Sequence, residues 1–382
     1  MSTVQVNDEL CDRLNQTVPQ MTLCYQCGVC TAICPLTATG RFPTVRKLVR
    51  SAQAGLSTES DNLWLCTTCG LCESTCPRGV PIVDVLHALR SVGFSERQVP
   101  SKLEETLWKV FENGNPWGEP RAFRSRWTKD LNIKDAFEGV EVLLYAGCAS
   151  SYDPRLQKVA KAVSSILQIA GVDFGVLKSG EKCCGDAVYQ SGEDAFLEEL
   201  VTENIATFEK TKASIVVSIS PHCFNMFKTL YPKYGASFKA VHYTELLAEL
   251  LDSGKLKPSR KLERTVTYHD PCYLSRYHGI EEPPRKLLES INGLKLVEMQ
   301  NSKMNTLCCG GGGGRVFQET EGERLSNIRV REAAETGAQT IATSCPYCIQ
   351  NFEDSTKTVG TKIQVSDVAE LIASSIGGDG RV

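Results

Sequence analysis

The sequence predicts an α+β chain with α/β units, in which a small helical domain precedes two copies of an α/β unit built on parallel sheets. Three observations predict this architecture. The chain has 18 cysteines in 382 residues, and 17 of them fall into four compact groups separated by long stretches without cysteine. The first two groups repeat one short pattern and the last two repeat a longer one, which indicates two internal duplications. In the second half, β-branched runs alternate with helical patterns, as in parallel α/β units.

Apart from its cysteines, the chain has the composition of an ordinary globular protein. Lys and Arg total 42 and Asp and Glu total 45, a formal net charge of -3, so no general attraction to nucleic acid or anionic lipid is expected. The first residues lack a basic start and an apolar core, and no later run approaches ~20 uninterrupted apolar residues. We therefore expect a cytoplasmic protein without a membrane span.

Four regions follow from the cysteine groups and the patterns between them. Residues 1–94 carry the first two groups and 95–139 form a connector. Residues 140–258 form the first α/β unit and 259–382 form the second. Because the regions differ in cysteine pattern and in periodicity, we expect them to be separate domains.

The helical domain and the connector are predicted from apolar spacing. Positions 45–56 and 82–89 each carry one apolar stripe at helical spacing, sized to cover a bound group rather than to build a large core. In the connector, a helix is predicted around 103–111, and the Pro and Gly residues of 113–120 end it. The segment 121–129 alternates basic and aromatic residues, and we interpret it as a solvated linker whose aromatic side chains pack on a domain, in preference to a docking patch.

The two α/β units are predicted from a shared offset. Each opens with a β-like run, at 142–145 and 265–268, that leads to a cysteine, and a helical pattern follows at 156–170 in the first copy. A later β-branched run is followed in each copy by a proline suited to a first helical turn. In such units ligands lie where strands end and helices begin. The offset is 125 residues between Cys183, Cys184 and Cys223 and their counterparts Cys308, Cys309 and Cys348, and 124 between Cys148 and Cys272.

The short N-terminal pattern is three cysteines at three-residue intervals, a fourth cysteine four residues later, and then proline. This is the bacterial ferredoxin spacing for [4Fe-4S] clusters, in which the fourth cysteine of each run serves the other cluster. Zinc ribbons also use cysteine pairs, but zinc takes four ligands and each run would already offer a full set. Gly28 and Gly70 leave room for the bend. We assign two ligand sets, the Cys24 set (Cys24, Cys27, Cys30 and Cys76) and the Cys66 set (Cys66, Cys69, Cys72 and Cys34).

The longer pattern gives two further ligand sets of unequal size. Ser220 occupies the position of Cys345, so the first copy has four cysteines and the second has five. A serine alkoxide is a hard, basic ligand that serves iron-sulfur chemistry poorly. The glycine loop, Gly310 to Gly314, could be a flexible linker or a phosphate cradle, and we favour close approach of bare backbone to a bulky cluster and its substrate. The sets are the Cys148 set (Cys148, Cys183, Cys184 and Cys223) and the Cys272 set (Cys272, Cys308, Cys309, Cys345 and Cys348).

Together these motifs resemble the heterodisulfide reductase family, in the form that fuses two ferredoxin-type motifs to a pair of CCG (cysteine-rich) domains. The resemblance covers about residues 20–375. It implies that a complete five-cysteine set holds a noncubane [4Fe-4S] cluster, and that two such clusters face each other across a disulfide substrate. We therefore expect two cubane [4Fe-4S] clusters, one noncubane cluster at the Cys272 set, and at the Cys148 set an ordinary cluster, a modified one or none.

Several side chains outside the cysteine sets are weaker candidates. His269 precedes Cys272 and is expected to support its ligands or donate a proton, although a hydrogen bond to the backbone is nearly as well supported. We expect His278 to line the same pocket. For His222, beside Cys223, a structural role is favoured over a role as ligand or proton donor. The remaining residues are expected to be structural: His87 on a helix, His242 and Glu245 at a helix start with counterparts Asp367 and Glu370, and Cys11 as a lone thiol.

These features predict an iron-sulfur electron-transfer subunit. The chain lacks a GxGxxG fingerprint after a strand and a phosphate-binding loop motif, so a flavin-containing or other redox partner is expected to supply the electrons. Oxygen-labile clusters fit a reducing cytoplasm and an anaerobe, and a membrane-bound partner stays open. Because Ser220 leaves the first copy one cysteine short, we favour an electron relay over a catalytic disulfide reductase that acts through the Cys272 set and His269. Two further functions stay open: an electron-transfer subunit of a 2-hydroxy acid dehydrogenase or quinone-linked system, and a scaffold or sensor in which clusters only hold the fold.

Overall fold

The N-terminal region is helical, as its apolar spacing predicts. A computed structural model describes residues 6–41, 45–56, 61–319 and 321–376. The predicted stripes fall on α3 (Val45–Gln53) and α6 (Ile82–Ser95), where Val45, Leu48, Val85 and Leu86 are buried. The helices of this region are α1 (Asp8–Thr17), α2 (Val29–Ala32), α3 (Val45–Gln53), α4 (Asp61–Leu65), α5 (Leu71–Ser74) and α6 (Ile82–Ser95).

The connector begins with α7 (Ser101–Asn113), which confirms the predicted helix. The rest of it differs from a solvated linker. Trp127 is buried in the core of the first unit, as expected of a packing aromatic residue, but Arg124 is also buried, at 2% exposure. The connector also supplies β1 (Lys134–Asp135), which pairs in parallel with a strand of the first unit. This segment is therefore part of the folded body.

The first α/β unit is a five-stranded parallel sheet in the order β1-β3-β2-β4-β5. The β-branched runs form its central strands because apolar residues on both faces of a strand suit burial between helices. Its further elements are β2 (Val142–Tyr145), α8 (Gly147–Tyr152), α9 (Gln157–Ile169), β3 (Phe174–Val176), α10 (Asp186–Ser191), α11 (Asp194–Lys210), β4 (Ile215–Ser218), α12 (Pro221–Asn225), β5 (Lys239–His242) and α13 (Tyr243–Asp252).

The second unit repeats this topology with a four-stranded parallel sheet. Its strand order, β7-β6-β8-β9, matches β3-β2-β4-β5 strand for strand. The duplication and the mixed α/β fold class are thereby confirmed. Its elements are β6 (Arg264–His269), α14 (Cys272–His278), α15 (Glu282–Glu289), β7 (Leu294–Val297), α16 (Leu325–Glu335), β8 (Thr340–Thr343), α17 (Pro346–Val359), β9 (Gln364–Asp367) and α18 (Val368–Ser375).

The two units pack about a local two-fold relation. The helix α9 packs on α18 and α13 packs on α15, so equivalent helices exchange partners across the interface. One apolar core contains side chains of both units, among them Val163, Leu167, Leu287 and Ile372. Because the loops that follow the strands then meet near this interface, the two cysteine sets of the α/β units are brought towards each other.

The length and polarity of the helices decide whether any of them could span a membrane. In the part of the chain that the structure describes, the helices are too short or too polar to cross a bilayer.

Candidate metal centres

All 18 cysteines lie in described residues, and each is a free thiol. This agrees with ligand sets rather than crosslinks. Cys11, the one cysteine outside the sets, donates a hydrogen bond to the carbonyl of Gln53 at 3.3 Å and accepts one from Asn15. It has a structural contact of its own, as expected for a lone thiol.

The Cys24 set lies at the protein surface. Cys27 is exposed, whereas Cys30 is buried against the helices of the domain. Gly28, with φ +88°, allows the chain to turn between these two cysteines. A hydrogen bond with Cys27 raises the pKa of Tyr25, and the charge of Cys76 adds a smaller effect in the same direction. Cys76, the fourth cysteine of the second run, therefore lies near the first run. These four thiols are placed where a cluster would face solvent.

The Cys66 set lines a closed cavity beneath α3 and α6. Cys34 shares this cavity with Cys66, Cys69 and Cys72, although it belongs to the other sequence run. Burial raises the pKa of Cys34 to about 12, and Cys69 and Cys66 add to the shift. The apolar stripes supply the rest of the wall, so the helices cover the site as their spacing predicts. The lining side chains from those helices are Val45, Leu48, Val83 and Leu86.

The Cys66 set adjoins the Cys272 set directly. The side chains of Cys69 and Cys308 are within hydrogen-bonding reach, and Cys308 lies 3.5 Å from the hydroxyl of Thr67. Tyr277 donates a hydrogen bond to the carbonyl of Thr68 at 2.6 Å, which fastens α14 to the same loop. The N-terminal domain and the second unit therefore meet at their cysteines. This contact joins residues 239 positions apart, from 69 to 308, and the sequence carried no signal for it.

The five-glycine loop lies against the N-terminal domain. A Cβ atom on Gly312 would stand 2.3 Å from the carbonyl oxygen of Thr67, and one on Gly313 would stand 2.2 Å from that of Cys66. The expected close approach of bare backbone is present, but the partner of these two glycines is the backbone that carries the Cys66 set. Glycine is required here because a side chain would separate the two domains.

Arg90 of α6 fixes the same junction from inside. Its guanidinium is 1% exposed and donates to the carbonyl oxygens of Leu63, Cys66, Gln190 and Gly313 at 2.9 to 3.2 Å. These acceptors come from the N-terminal domain and from both α/β units. One buried cation thus holds three domains together. The helical pattern of residues 82–89 did not predict this role for Arg90.

The Cys272 set is buried between β6, α14 and α17. The sulfur atoms of Cys309 and Cys348 are 3.2 Å apart, and together with a ring nitrogen of His269 they lie within 4.8 Å of one another. The Nε atom of Arg329 donates to His269 Nδ1 at 3.1 Å, which leaves the other ring nitrogen to carry the proton. Burial, and then Arg329, hold the pKa of His269 well below its usual range. His269 therefore stands beside the sulfur atoms as a neutral ring.

The Cys148 set surrounds a second closed cavity. Cys148, Cys183, Cys184 and Cys223 all line it, and so does Ser220. Ser220 is the N-cap of α12 just as Cys345 is the N-cap of α17, so the two residues are equivalent in the fold. The cavity lined by four thiols fits a metal cluster bound through those four sulfur atoms.

A buried ion pair supports the Cys148 set. Arg124 lies 3.3 Å from the sulfur of Cys148 and binds Glu181 at 2.7 Å. Glu181 in turn accepts hydrogen bonds from the backbone amides of Ala146 and Gly147. The connector therefore places a positive charge against a candidate thiolate ligand, which sequence reasoning missed because it treated Arg124 as solvated.

His222 and Tyr347 cross between the two units. They are separated by the same offset of 125, and each follows the proline that starts its helix. His222 of the first unit reaches Cys345 of the second, while Tyr347 of the second unit lines the cavity of the Cys148 set. Their rings contact each other at a centroid distance of 4.8 Å. The expected structural role of His222 is thus accompanied by a direct contact with the other ligand set.

The charge state of His222 is set by its partners. Burial disfavours the imidazolium, but Asp186, whose carboxylate lies 3.1 Å away, and Cys345 outweigh this effect and raise the pKa of His222 to about 10. For Cys345, burial acts in the opposite sense to the hydrogen bonds with Cys348 and His222, which prevail and lower its pKa to about 5. His222 is therefore the positively charged partner of Asp186 and Cys345, and it lies between the two cysteine sets.

The other histidines lie away from the cysteines. The expectation that His278 lines the Cys272 pocket is wrong, because its ring turns to α12, where it contacts Asn225 and Phe224. His87 pairs with Asp194 at 3.2 Å and links α6 to the first unit. His242 caps α13 in a reciprocal capping box with Glu245. Asp367 and Glu370 form the same box on α18, so the sequence counterparts are structural counterparts.

An open pocket of about 370 Å³ leads from the surface to Cys309. Its walls come from the N-terminal domain and from the second unit. Arg41, Arg315 and Arg324 line it together with Glu319 and Glu323, so it is polar and of mixed charge. Among the cysteines of the Cys272 set, Cys309 is the member that this pocket reaches.

Comparison with known families agrees with the duplicated architecture. Residues 142–228 and 266–353 each match a family described as a cysteine-rich domain, CCG. Residues 20–80 match a 4Fe-4S dicluster domain. The matches cover the segments that carry all four cysteine sets.

Curated relatives include proteins of several kinds. A probable iron-sulfur-binding oxidoreductase, FadF of Bacillus subtilis, is 36% identical over 77% of this chain and 43% of the relative. EtfAB:quinone oxidoreductase of Syntrophomonas wolfei is 32% identical over 76% of this chain and 43% of the relative. A subunit of the dihydromethanophenazine:CoB--CoM heterodisulfide reductase of Methanosarcina mazei is 30% identical over 94% of both chains. The chain thus spans less than half the length of the first two relatives and nearly all of the third.

Proposed function

The chain belongs to the heterodisulfide reductase family of iron-sulfur oxidoreductases, and on that premise we propose that it is an electron-relay subunit of a larger redox complex. In this proposal a flavin-containing or other redox partner exchanges electrons with the N-terminal domain. Iron-sulfur clusters, when bound, supply one-electron transfer. The proposed ligands are the Cys24 and Cys66 sets for two cubane clusters, the Cys272 set for one noncubane cluster, and the Cys148 set for a further cluster.

The contact between Cys69 and Cys308 is the observation that carries this proposal. It places the Cys66 set against the Cys272 set, while Cys30 of the Cys24 set is close enough to act on the charge of Cys72. The Cys24 set reaches the surface through Cys27 at one end of this row. At the other end, His222 contacts Cys345 and connects the Cys272 set to the Cys148 set. A row of adjacent ligand sets with one exposed end is the arrangement that a relay requires.

The protein's own residues support the ligand sets in this proposal. Arg329 fixes the tautomer of His269, so Nε2 carries the proton. A nitrogen of this neutral ring lies within 4.8 Å of the sulfur atoms of Cys309 and Cys348. Arg90 lies beside Cys66, Arg124 beside Cys148 and His222 beside Cys345. Arg124 and His222 are each paired with a buried carboxylate, that of Glu181 and that of Asp186. Positive charge and hydrogen bonds to sulfur stabilise the more negative, reduced form of a cluster.

Iron content after anaerobic purification tests the ligand assignment. The proposal expects roughly 12 to 16 iron atoms per chain, counting four per cluster. Cys72→Ala should lose iron and the corresponding electron paramagnetic resonance (EPR) signal, because Cys72 lines the cavity of the Cys66 set. Cys11→Ala is the matched control, since this cysteine lies outside the four sets and its thiol is hydrogen-bonded to Gln53 and Asn15. Equal iron in the two variants would contradict the assignment.

Catalytic disulfide reduction is the second candidate, and the pocket that reaches Cys309 favours it. A reductase should oxidise reduced benzyl viologen when a thiol disulfide is added, with two electrons and two protons consumed for each disulfide converted to two thiols. Cys309→Ala should abolish this reaction if the Cys272 set performs it. Our relay proposal expects negligible disulfide-dependent oxidation of the dye and normal electron transfer to protein carriers. Rapid disulfide reduction would contradict the relay proposal and support the reductase.

A further inference from the structure

A run of exposed apolar side chains, here called the apolar patch, lies on both sides of Cys27 in the sequence. Ten large hydrophobic side chains are exposed among the described residues, and four of them lie in the eleven-residue segment 23–33. Cys27, an exposed member of the Cys24 set, lies in the middle of this segment. The concentration of apolar surface at a candidate ligand indicates an interaction site. The four side chains, exposed by 38 to 62%, are Leu23, Tyr25, Val29 and Ile33.

Positive charge flanks the patch. Residues 13–58 contain five basic and no acidic residues, although the chain as a whole has a net charge of -3. Arg46 and Lys47 lie on the exposed side of α3, and the guanidinium of Arg46 lies 3.7 Å from the Cβ position of Gly28, next to Cys27. On the other side, Arg78 is close enough to Tyr25 to act on its charge. The apolar patch and this basic rim together form the Cys27 face.

We propose that the Cys27 face docks a protein electron carrier whose own redox centre is surrounded by acidic residues. The inference rests on the proposed relay function and adds the surface and the charge of the partner. An apolar centre with a charged rim suits a small transient interface, in which complementary charge speeds association more than it raises affinity. The exposed ligand at the centre favours a redox protein over an anionic membrane surface, because an electron exchanged with a partner passes through this face.

Two forms of one acceptor protein test the charge. The reduced holoprotein is mixed with native cytochrome c, which is basic, and with succinylated cytochrome c, which is acidic, and one electron passes to each ferric haem. We expect the acidic form to react at least about 10-fold faster at low ionic strength, with the difference disappearing in high salt, as electrostatic steering requires. Equal rates, or a faster reaction with the native form, would overturn the proposal.

Charge reversal locates the site. Arg46→Glu combined with Lys47→Glu should remove most of the preference for the acidic acceptor. Lys210→Glu combined with Lys233→Glu makes the same change in net charge on exposed positions of the first unit, and it should keep the preference. Iron content and visible absorbance are measured on both variants so that altered cluster loading is not mistaken for altered docking. Equal effects of the two variants would show that net charge, not this face, decides the rate.

A binding measurement separates docking from electron transfer. Carbodiimide should couple Lys47 to a carboxylate of the succinylated acceptor, and high salt should suppress the cross-link. The docking proposal fails if the cross-links lie elsewhere. It also fails if the Cys27 face binds phosphatidylglycerol vesicles while the changes at Arg46 and Lys47 leave the rates of electron transfer to the acceptor unaltered. Failure of the holoprotein to reduce either cytochrome would instead refute the relay function itself.

Discussion

Replacing Gly312 with alanine tests whether the glycine loop sets the junction between the Cys66 and Cys272 sets. The new Cβ would stand 2.3 Å from the carbonyl oxygen of Thr67, whereas real Cβ contacts are essentially never shorter than 3.0 Å. The difference requires the loop and the N-terminal domain to separate by at least 0.7 Å, obtained as 3.0 minus 2.3. Both sides of the contact are backbone, so neither can simply rotate away.

The expected cost is that of overpacking, about 1 to 3 kcal/mol, which corresponds to a loss of a few degrees in the thermal transition. Because Cys69 and Cys308 lie across the same junction, we also expect slower electron transfer from the Cys66 set to the Cys272 set. Calorimetry and freeze-quench EPR measure the two effects. Gly180→Ala is the matched control, since its Cβ would meet Phe137 at an ordinary 3.5 Å. If Gly312→Ala behaved like Gly180→Ala in both measurements, the glycine loop would not set the junction.

Three further predictions concern single positions. Ser220→Cys should change the EPR signal of the Cys148 set because it adds a fifth thiol to that cavity, whereas Ser220→Ala should leave the signal and the iron content as in the wild type. Arg90→Met should lower the free energy of unfolding, measured by denaturant titration, by roughly 3 to 5 kcal/mol, since it leaves buried carbonyl oxygens without a donor. The control Arg97→Met changes an exposed side chain and should leave this free energy nearly unchanged. Burial raises the pKa of Asp367 to about 8, so this residue's contribution to stability is lost as pH rises from about 4 towards 8. At about 1.4 kcal/mol per pKa unit, Asp367→Asn should flatten that fall by roughly 5 kcal/mol in unfolding measured against pH. An unchanged pH profile in Asp367→Asn would show that the carboxyl is charged in the folded protein.

The duplications were predictable because they leave a periodic record in the sequence. The offset of 125 residues pairs Ser220 with Cys345, and the fold places both at the N-cap of equivalent helices. The ferredoxin spacing likewise predicts that Cys34 leaves its own run, and the structure brings it into the cavity with Cys66. The β-branched runs become inner strands of both sheets, but the order of the strands was not predicted from the sequence.

Contacts between domains were not predictable, because they depend on how folded units pack rather than on local periodicity. Arg124 lies among exposed basic residues of the connector, and only burial against Glu181 distinguishes it from them. His278 is the last residue of α14, which begins at Cys272, yet the turn of that helix directs its ring to α12. The contact of Cys69 with Cys308 is of the same kind.

The position of Ser220 in the row of ligand sets explains how the chain can lose one cysteine and still relay electrons. The Cys272 set, which has all five cysteines, is the one that touches the N-terminal domain through Cys69. The Cys148 set, with Ser220, meets the rest of the row through the crossing of His222 and Tyr347. A change of ligand at Ser220 therefore alters the last set and leaves the junction at Cys69 intact. By the same reasoning, Ser220→Cys should leave electron transfer from the Cys66 set to the Cys272 set unchanged, and a changed rate of that step would show that the Cys148 set lies within the path rather than at its end.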